Sequence, residues 1–170
     1  NSLFDRLLDH PGITVECGRE FKLSDLAGEK VYYSGPLDVL FGYRYGPLPW
    51  RSLRFETERR DIADFQGTSV VNYTEASVPY TRIHEFKHYH PESKEIMSRP
   101  KTIVMREYSA EWKPGDEPYY PVDTAQSREL LAAYRSEAAR IPNLVLGGRL
   151  GAYRYFDMDK SVESALKVEI

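Results

Sequence analysis

Near its end the chain reads Leu144-Val-Leu-Gly-Gly-Arg-Leu-Gly-Ala-Tyr-Arg-Tyr-Phe-Asp-Met158, and no other stretch narrows the possible folds so far. A short apolar run predicts a buried strand. A double glycine then turns the backbone beside an arginine, a tyrosine pair follows, and Asp157 opens a helix. Glycine reaches positive φ without a steric penalty, so the backbone here can approach a ligand closely. The start of a helix leaves amide donors free for a phosphate or the edge of an electron-rich ring. Arg149 adds a cation whose planar fork suits a diphosphate. A plain strand-to-helix turn with a surface arginine fits the same letters.

The rest of the chain shows what such a turn belongs to. Leu3, Phe4, Leu7 and Leu8 recur at helical spacing, and His10-Pro11-Gly12 stops that helix. Ile13-Thr-Val15 predicts a short strand, and Leu23 to Gly28 predicts a single helical turn. Val31-Tyr-Tyr33 predicts a strand running into a Gly-Pro turn and a short helix through Leu40-Phe41. In the middle, Leu53, Phe55 and Thr57 alternate with Arg54, Glu56 and Glu58, the period of a half-buried strand. Further strands are expected over Thr68–Tyr73, Val78–His88 and Lys101–Tyr108, with a polar loop from His90 to Pro100. The third would carry Tyr80, Arg82, His84, Phe86 and His88 on one side. Hairpin-like separations argue for an antiparallel sheet. Asp123 or Thr124 then caps a helix whose apolar stripe is Leu130, Leu131, Tyr134 and Ala138, ended by Pro142.

Composition excludes more than it selects. A net charge of −3 argues against general nucleic-acid binding. No apolar run approaches the ~18–20 residues of a membrane span, so no membrane partner is expected. Cys17 is the only cysteine, which rules out an intrachain disulfide and a cysteine-built metal cluster. The 13 tyrosines suit either a wet sugar- or nucleotide-sized cleft or a tyrosine-rich sheet surface.

His84-Glu-Phe-Lys-His88 matches the H-E-x-x-H pattern of zinc proteases, whose chemistry requires a helix. Here the flanking residues favour a strand, on which positions four apart stand roughly 13 Å from each other. One zinc cannot bridge that gap, and no metal is expected. Glu107 and Glu117 are carboxylates of unknown separation. Arg82, Tyr120 and Tyr155 could converge on a diphosphate, while Arg82 could equally form a structural pair with Glu107.

Several motifs are more specific together than singly. They are Tyr33-Ser-Gly-Pro-Leu-Asp38, Trp50-Arg-Ser-Leu-Arg-Phe-Glu56, Asp64-Phe-Gln-Gly67, Val78-Pro-Tyr-Thr-Arg-Ile83, Arg106-Glu-Tyr108, Asp116-Glu-Pro-Tyr-Tyr-Pro121 and Gly147 to Met158. In this order they make the chain resemble the later half of the prokaryotic UDP-galactopyranose mutase family over essentially its whole length. The resemblance implies a cytoplasmic homodimeric isomerase that converts UDP-galactose between pyranose and furanose forms with reduced FAD, through a flavin–sugar adduct, for cell-surface glycans. It implies that Arg82, Tyr120 and Tyr155 bind the substrate diphosphate. Asn72 and Glu107 would lie near the sugar and flavin, with Asp157 beside Tyr155. Arg149, Gly148 and Met158 would bind FAD.

The implied fold is α+β. Residues 1–46 would be a returning segment of an FAD-binding domain, 47–122 an antiparallel substrate-binding sheet, and 123–170 the helix, strand and C-terminal helix completing the FAD-binding α/β layer. No G-x-G-x-x-G follows a strand in these residues, so the chain is expected to be a fragment with an incomplete cofactor site, inactive alone. Two alternatives remain: an amine-oxidase-like FAD oxidoreductase fragment, and a non-catalytic module binding glycan or protein.

Overall fold

The computed structural model describes residues 2–168. Two sheets and a set of short helices make up these residues. The elements are α1 (Ser2–Leu8), β1 (Val31–Tyr33), α2 (Leu37–Leu40), β2 (Trp50–Arg60), β3 (Val70–Asn72), β4 (Arg82–Glu85), α3 (Lys94–Met97), β5 (Thr102–Glu111), β6 (Tyr120–Pro121), α4 (Ala125–Ala138), β7 (Leu144–Leu146), α5 (Gly148–Gly151) and α6 (Met158–Leu166). Single 3-10 turns occupy Leu23–Asp25 and Phe86–Tyr89. The mixed architecture expected from the sequence is present: one antiparallel sheet and one parallel pair.

The antiparallel sheet has the order β3-β4-β5-β2-β6. Its spine is the β2–β5 pairing, in register from Arg51↔Glu111 to Arg60↔Thr102. The parallel pair joins β1 to β7, with Val31 opposite Leu144 and Tyr33 opposite Leu146. The chain passes from β7 straight into α5, so the carboxyl ends of both strands lie beside the double glycine. That junction depends on missing side chains. A β-carbon on Gly151 would stand 2.4 Å from the Tyr33 carbonyl oxygen, and Gly148 sits at φ +66°.

The main core lies between α2, α4 and the start of β2. Leu37, Leu40, Phe41, Leu48, Trp50, Tyr134, Ala138 and Tyr153 form one buried cluster. Full burial of each large apolar side chain contributes about 2 kcal/mol. The Trp50 and Tyr153 rings meet edge-on at 4.9 Å. Polar tips in this core have partners. The Tyr134 hydroxyl donates to Gly46 O at 2.7 Å. The Tyr153 hydroxyl accepts from Val122 N, and burial pushes its pKa up to about 12. Asp38 is almost fully buried; its carboxylate accepts from Leu48 N at 2.8 Å and Val39 N at 3.1 Å. Burial raises its pKa, against those two lowering bonds.

Three expectations need correction. Ile13–Val15 forms no strand; the segment is exposed and pairs with no strand among the described residues. The strand expected over Val78–His88 is confined to Arg82–Glu85, and Phe86–Tyr89 winds into a 3-10 turn that buries Lys87. Arg82 and His84 therefore share a sheet face, while Phe86 and His88 do not belong to the strand. The polar loop His90–Pro100 contains α3, capped by Ser93 Oγ accepting from Ile96 N. Of the two possible caps for α4, Thr124 is the one used, in a reciprocal box with Ser127.

Candidate functional site

Strand register brings three of the expected site residues into one row. Asn72 lies opposite Arg82, Arg82 opposite Glu107, and Glu107 opposite Phe55, across β3, β4, β5 and β2. Directly opposed residues project from the same face of a sheet. Glu107 is only 6% exposed. Its Oε1 stands 3.3 Å from Arg82 Nε and 3.3 Å from Thr81 Oγ1, and its Oε2 stands 3.3 Å from His84 Nε2. Arg82 Nε is buried with no well-aligned hydrogen bond. Its two terminal nitrogens make no hydrogen bond among the described residues. The arrangement is a guanidinium tethered at its inner end by a buried carboxylate and open at its outer end, suited to a doubly charged anion.

A second cluster forms where β6 meets the segment between α5 and α6. The Tyr120 and Tyr155 rings stack with centroids 5.7 Å apart. Arg149 caps the stack, its guanidinium carbon 4.7 Å from the Tyr155 ring centre and 5.8 Å from that of Tyr120. The same guanidinium donates to Tyr119 O at 3.0 Å and to Phe156 O at 2.7 Å. The Tyr155 hydroxyl donates to Asp157 Oδ1 at 2.7 Å, and that bond leads the causes raising the tyrosine's pKa. Asp157 precedes α6 but gives it no side-chain cap. The first-turn amides of α6, Met158 included, receive no cap from Asp157 and no side-chain acceptor among the described residues. Met158 itself is exposed.

Aromatic rings connect the two clusters. Phe55 at the end of the Asn72–Arg82–Glu107 row meets Tyr119 edge-on at 6.1 Å, and Tyr119 lies 6.5 Å from Tyr120. Tyr155 also lines a cleft of about 330 Å³ with Pro121, Asp123, Arg128 and Arg154. A larger cleft of about 460 Å³ lies between β2, β5 and α3, and none of the expected site residues lines it.

The two histidines of the H-E-x-x-H match part company. His84 joins Glu107, while His88 Nε2 lies 3.2 Å from Asp64 Oδ2 and 3.5 Å from Glu85 Oε2. Ligand atoms of Asp64, Glu85 and His88 fall within 4.8 Å of one another, close enough to share a cation. In the fold they brace the Asp64–Gly67 turn. Fully buried Glu85 accepts from Phe65 N and Gln66 N, and Asp64 accepts from Gly67 N at 2.7 Å. The Gly67 amide, then His88, hold the Asp64 carboxyl below its ordinary range.

Sequence reading missed Thr81 and His84 as partners of Glu107, Tyr89 as the partner of His84, and Phe55 and Tyr119 as the bridge between clusters. Pairing register brings in His84 and Phe55, and alternation within one strand carries no register; Thr81, Tyr89 and Tyr119 come from the turns and loops beside the strands.

A sequence model of the family described as UDP-galactopyranose mutase matches residues 1–155. The chain is 41% identical over 168 residues to a probable UDP-galactopyranose mutase of Klebsiella pneumoniae, covering 97% of this chain and 42% of that protein. It is 34% identical over 173 residues to the dTDP-fucopyranose mutase of Escherichia coli, covering 97% and 45% respectively. It is 33% identical over 178 residues to the UDP-galactopyranose mutase of Mycoplasma pneumoniae, covering 96% and 44%. The chain thus spans less than half the length of these relatives. With most of its residues matched, the chain belongs to the UDP-galactopyranose mutase family.

Proposed function

We propose that the protein carrying this chain interconverts UDP-galactopyranose and UDP-galactofuranose, and that this chain supplies the face that holds the diphosphate. The observation that carries the reading is Arg82, its Nε beside buried Glu107 and its terminal nitrogens making no hydrogen bond among the described residues. The chemical problem is to keep a departing diphosphate close while the sugar ring is rebuilt. Fixed cations and hydroxyls do this without reorganising during the reaction. Arg82, Tyr120 and Tyr155 take that role, Asn72 faces the sugar, Glu107 fixes Arg82, and Asp157 orients the Tyr155 hydroxyl.

FAD fits the chain's residues at the β7–α5–α6 junction. The first amides of α6 lack a side-chain acceptor, and Gly148 lets the backbone pass close beside the ends of the parallel strands. Arg149 retains donors beyond the two engaged by carbonyls. Gly148, Arg149 and Met158 are the cofactor contacts from this chain, which completes one side of an FAD-binding layer. Reduced flavin, when bound, supplies a ring nitrogen that carries the sugar while the diphosphate is detached. Without the phosphate-binding glycine motif the chain alone neither retains FAD nor turns over. The same reading makes the whole protein a cytoplasmic homodimer serving glycan biosynthesis, with no nucleic-acid partner. No described helix is long and apolar enough to cross a membrane.

The dTDP-fucopyranose relative supports a second substrate, since a nucleoside diphosphate sugar presents the same anion to Arg82. The test is conversion of UDP-galactofuranose and dTDP-fucofuranose by the flavin-loaded protein with and without dithionite. UDP-galactose formed only under reduction supports the proposal. Oxygen consumption with an amine substrate favours an oxidase. Binding of glycan by colourless protein favours a non-catalytic module.

A further inference from the structure

The row that holds Arg82 has a neighbour to which the mutase reading gives no part. His84 lies two residues along β4 from Arg82, on the same face, with Val70 of β3 and Met105 of β5 opposite it. Its side chain is mostly buried. Nε2 stands 3.3 Å from Glu107 Oε2, and Nδ1 stands 2.7 Å from the Tyr89 hydroxyl, whose ring stacks on the imidazole. A carboxylate oxygen offers only lone pairs, so the Nε2 contact places a proton between His84 and Glu107. A neutral imidazole then has its lone pair on Nδ1, and the Tyr89 hydroxyl donates to it. This relay fixes the ring and assigns each oxygen of Glu107 its donors. Oε2 takes His84, and Oε1 is left to Thr81 and Arg82.

We infer that His84, held by Tyr89, is a positioning residue for the diphosphate: it locks the Glu107 carboxylate, and Glu107 in turn aims Arg82. Removing the imidazole leaves Glu107 free to rotate about its last torsion, a broad and soft one, and Arg82 loses its fixed anchor. The inference rests on the mutase reading, because it assigns a task to Arg82. It adds residues of the 3-10 turn Phe86–Tyr89, outside the strands, to the machinery of binding.

The experiment is titration of UDP into the oxidised, flavin-loaded protein, where binding is read without turnover, for wild type, Arg82→Ala, His84→Leu, His84→Gln and Tyr89→Phe. His84→Leu should weaken UDP roughly tenfold, the scale of one lost hydrogen bond to a charged group. His84→Gln, which keeps an N–H donor, should recover part of that loss. Tyr89→Phe removes one oxygen from a half-exposed ring and should weaken UDP several-fold with the flavin spectrum unchanged. If His84→Leu fails to fold, Tyr89→Phe decides. Equal UDP affinity of His84→Leu and His84→Gln, or Tyr89→Phe within about twofold of wild type while Arg82→Ala loses UDP, overturns the inference and leaves the mutase reading standing. Undiminished UDP binding by Arg82→Ala overturns both.

Discussion

The guanidinium of Arg149 lies 4.7 Å over the Tyr155 ring while two of its N–H groups hold the carbonyls of Tyr119 and Phe156. One side chain thereby ties β6 to the segment leading into α6. Arg149→Ala should lower stability by about 1–3 kcal/mol, the scale of lost hydrogen bonds to a charged group. It should also lower FAD content per protein. Arg149→Lys keeps the charge but not the fork, so it should restore neither. Thermal melts and flavin absorbance check both, and a fully loaded Ala variant would count against the cofactor role.

Arg82→Ala should reduce kcat/KM by a factor on the order of 100 or more, as when a preorganised donor is removed from a developing anion. The bound-flavin spectrum should stay unchanged, because Arg82 stands in the sheet and not at the α5–α6 junction. Steady-state kinetics alongside a flavin spectrum give the answer, and normal turnover would sink the diphosphate assignment.

Asp38 makes a pH prediction whose sign follows from burial. Its folded pKa is raised above the ordinary 3.8, so the folded state binds its proton more tightly than the unfolded chain does. The protonated form's stabilising contribution is present below the unfolded pKa and is lost as pH rises through the folded one. The difference in melting temperature between wild type and Asp38→Asn should therefore shift in favour of wild type as pH falls from neutral towards 4. A pH-independent difference would show that Asp38 does not titrate abnormally.

Gly151→Ala should be among the most damaging small changes. The new methyl group would meet the Tyr33 carbonyl at 2.4 Å, and backbone cannot swing aside as a side chain does. A cost of roughly 1–3 kcal/mol is expected from overpacking. Gly148→Ala should cost about 1–2 kcal/mol from its φ of +66°. Urea midpoints measure both, and Gly151→Ala with wild-type stability would show that β1 and α5 can separate at little cost.

The fold was legible wherever one element decides its own structure. The Thr124 cap and the Leu130–Ala138 stripe announce α4, and alternation from Leu53 to Glu58 announces β2. Val31–Tyr33 and the helix after Pro36 fell where expected. Reading failed where tertiary contact overrides local preference. Ile13–Val15 has strand-forming residues but no partner strand. Phe86–Tyr89 has them too, but buried Lys87 donates to the Ala63 and Arg99 carbonyls from a 3-10 turn. The site residues were named through motifs, and the Arg82–Glu107 pair was one of the readings left open, yet the row they form was not. That Asn72, Arg82 and Glu107 form one row depends on two strand registers, and His84 joins Glu107 through the second.

The parallel pairing of β1 with β7 also bears on how the chain reaches its fold. Val31 and Leu144 come from opposite ends of the described chain, and the whole antiparallel sheet lies between them. Closing so long a loop carries a large entropic cost before any contact rewards it. Non-local parallel pairing is intrinsically slow. The β2–β5 ladder, longer and more extensively bonded, should therefore consolidate first, and β1 should wait for β7 until residue 146 has left the ribosome. Pulsed hydrogen exchange should find the amide of Val104 protected well before that of Val145. That order would make the antiparallel sheet the template on which the parallel pair is finally zipped shut.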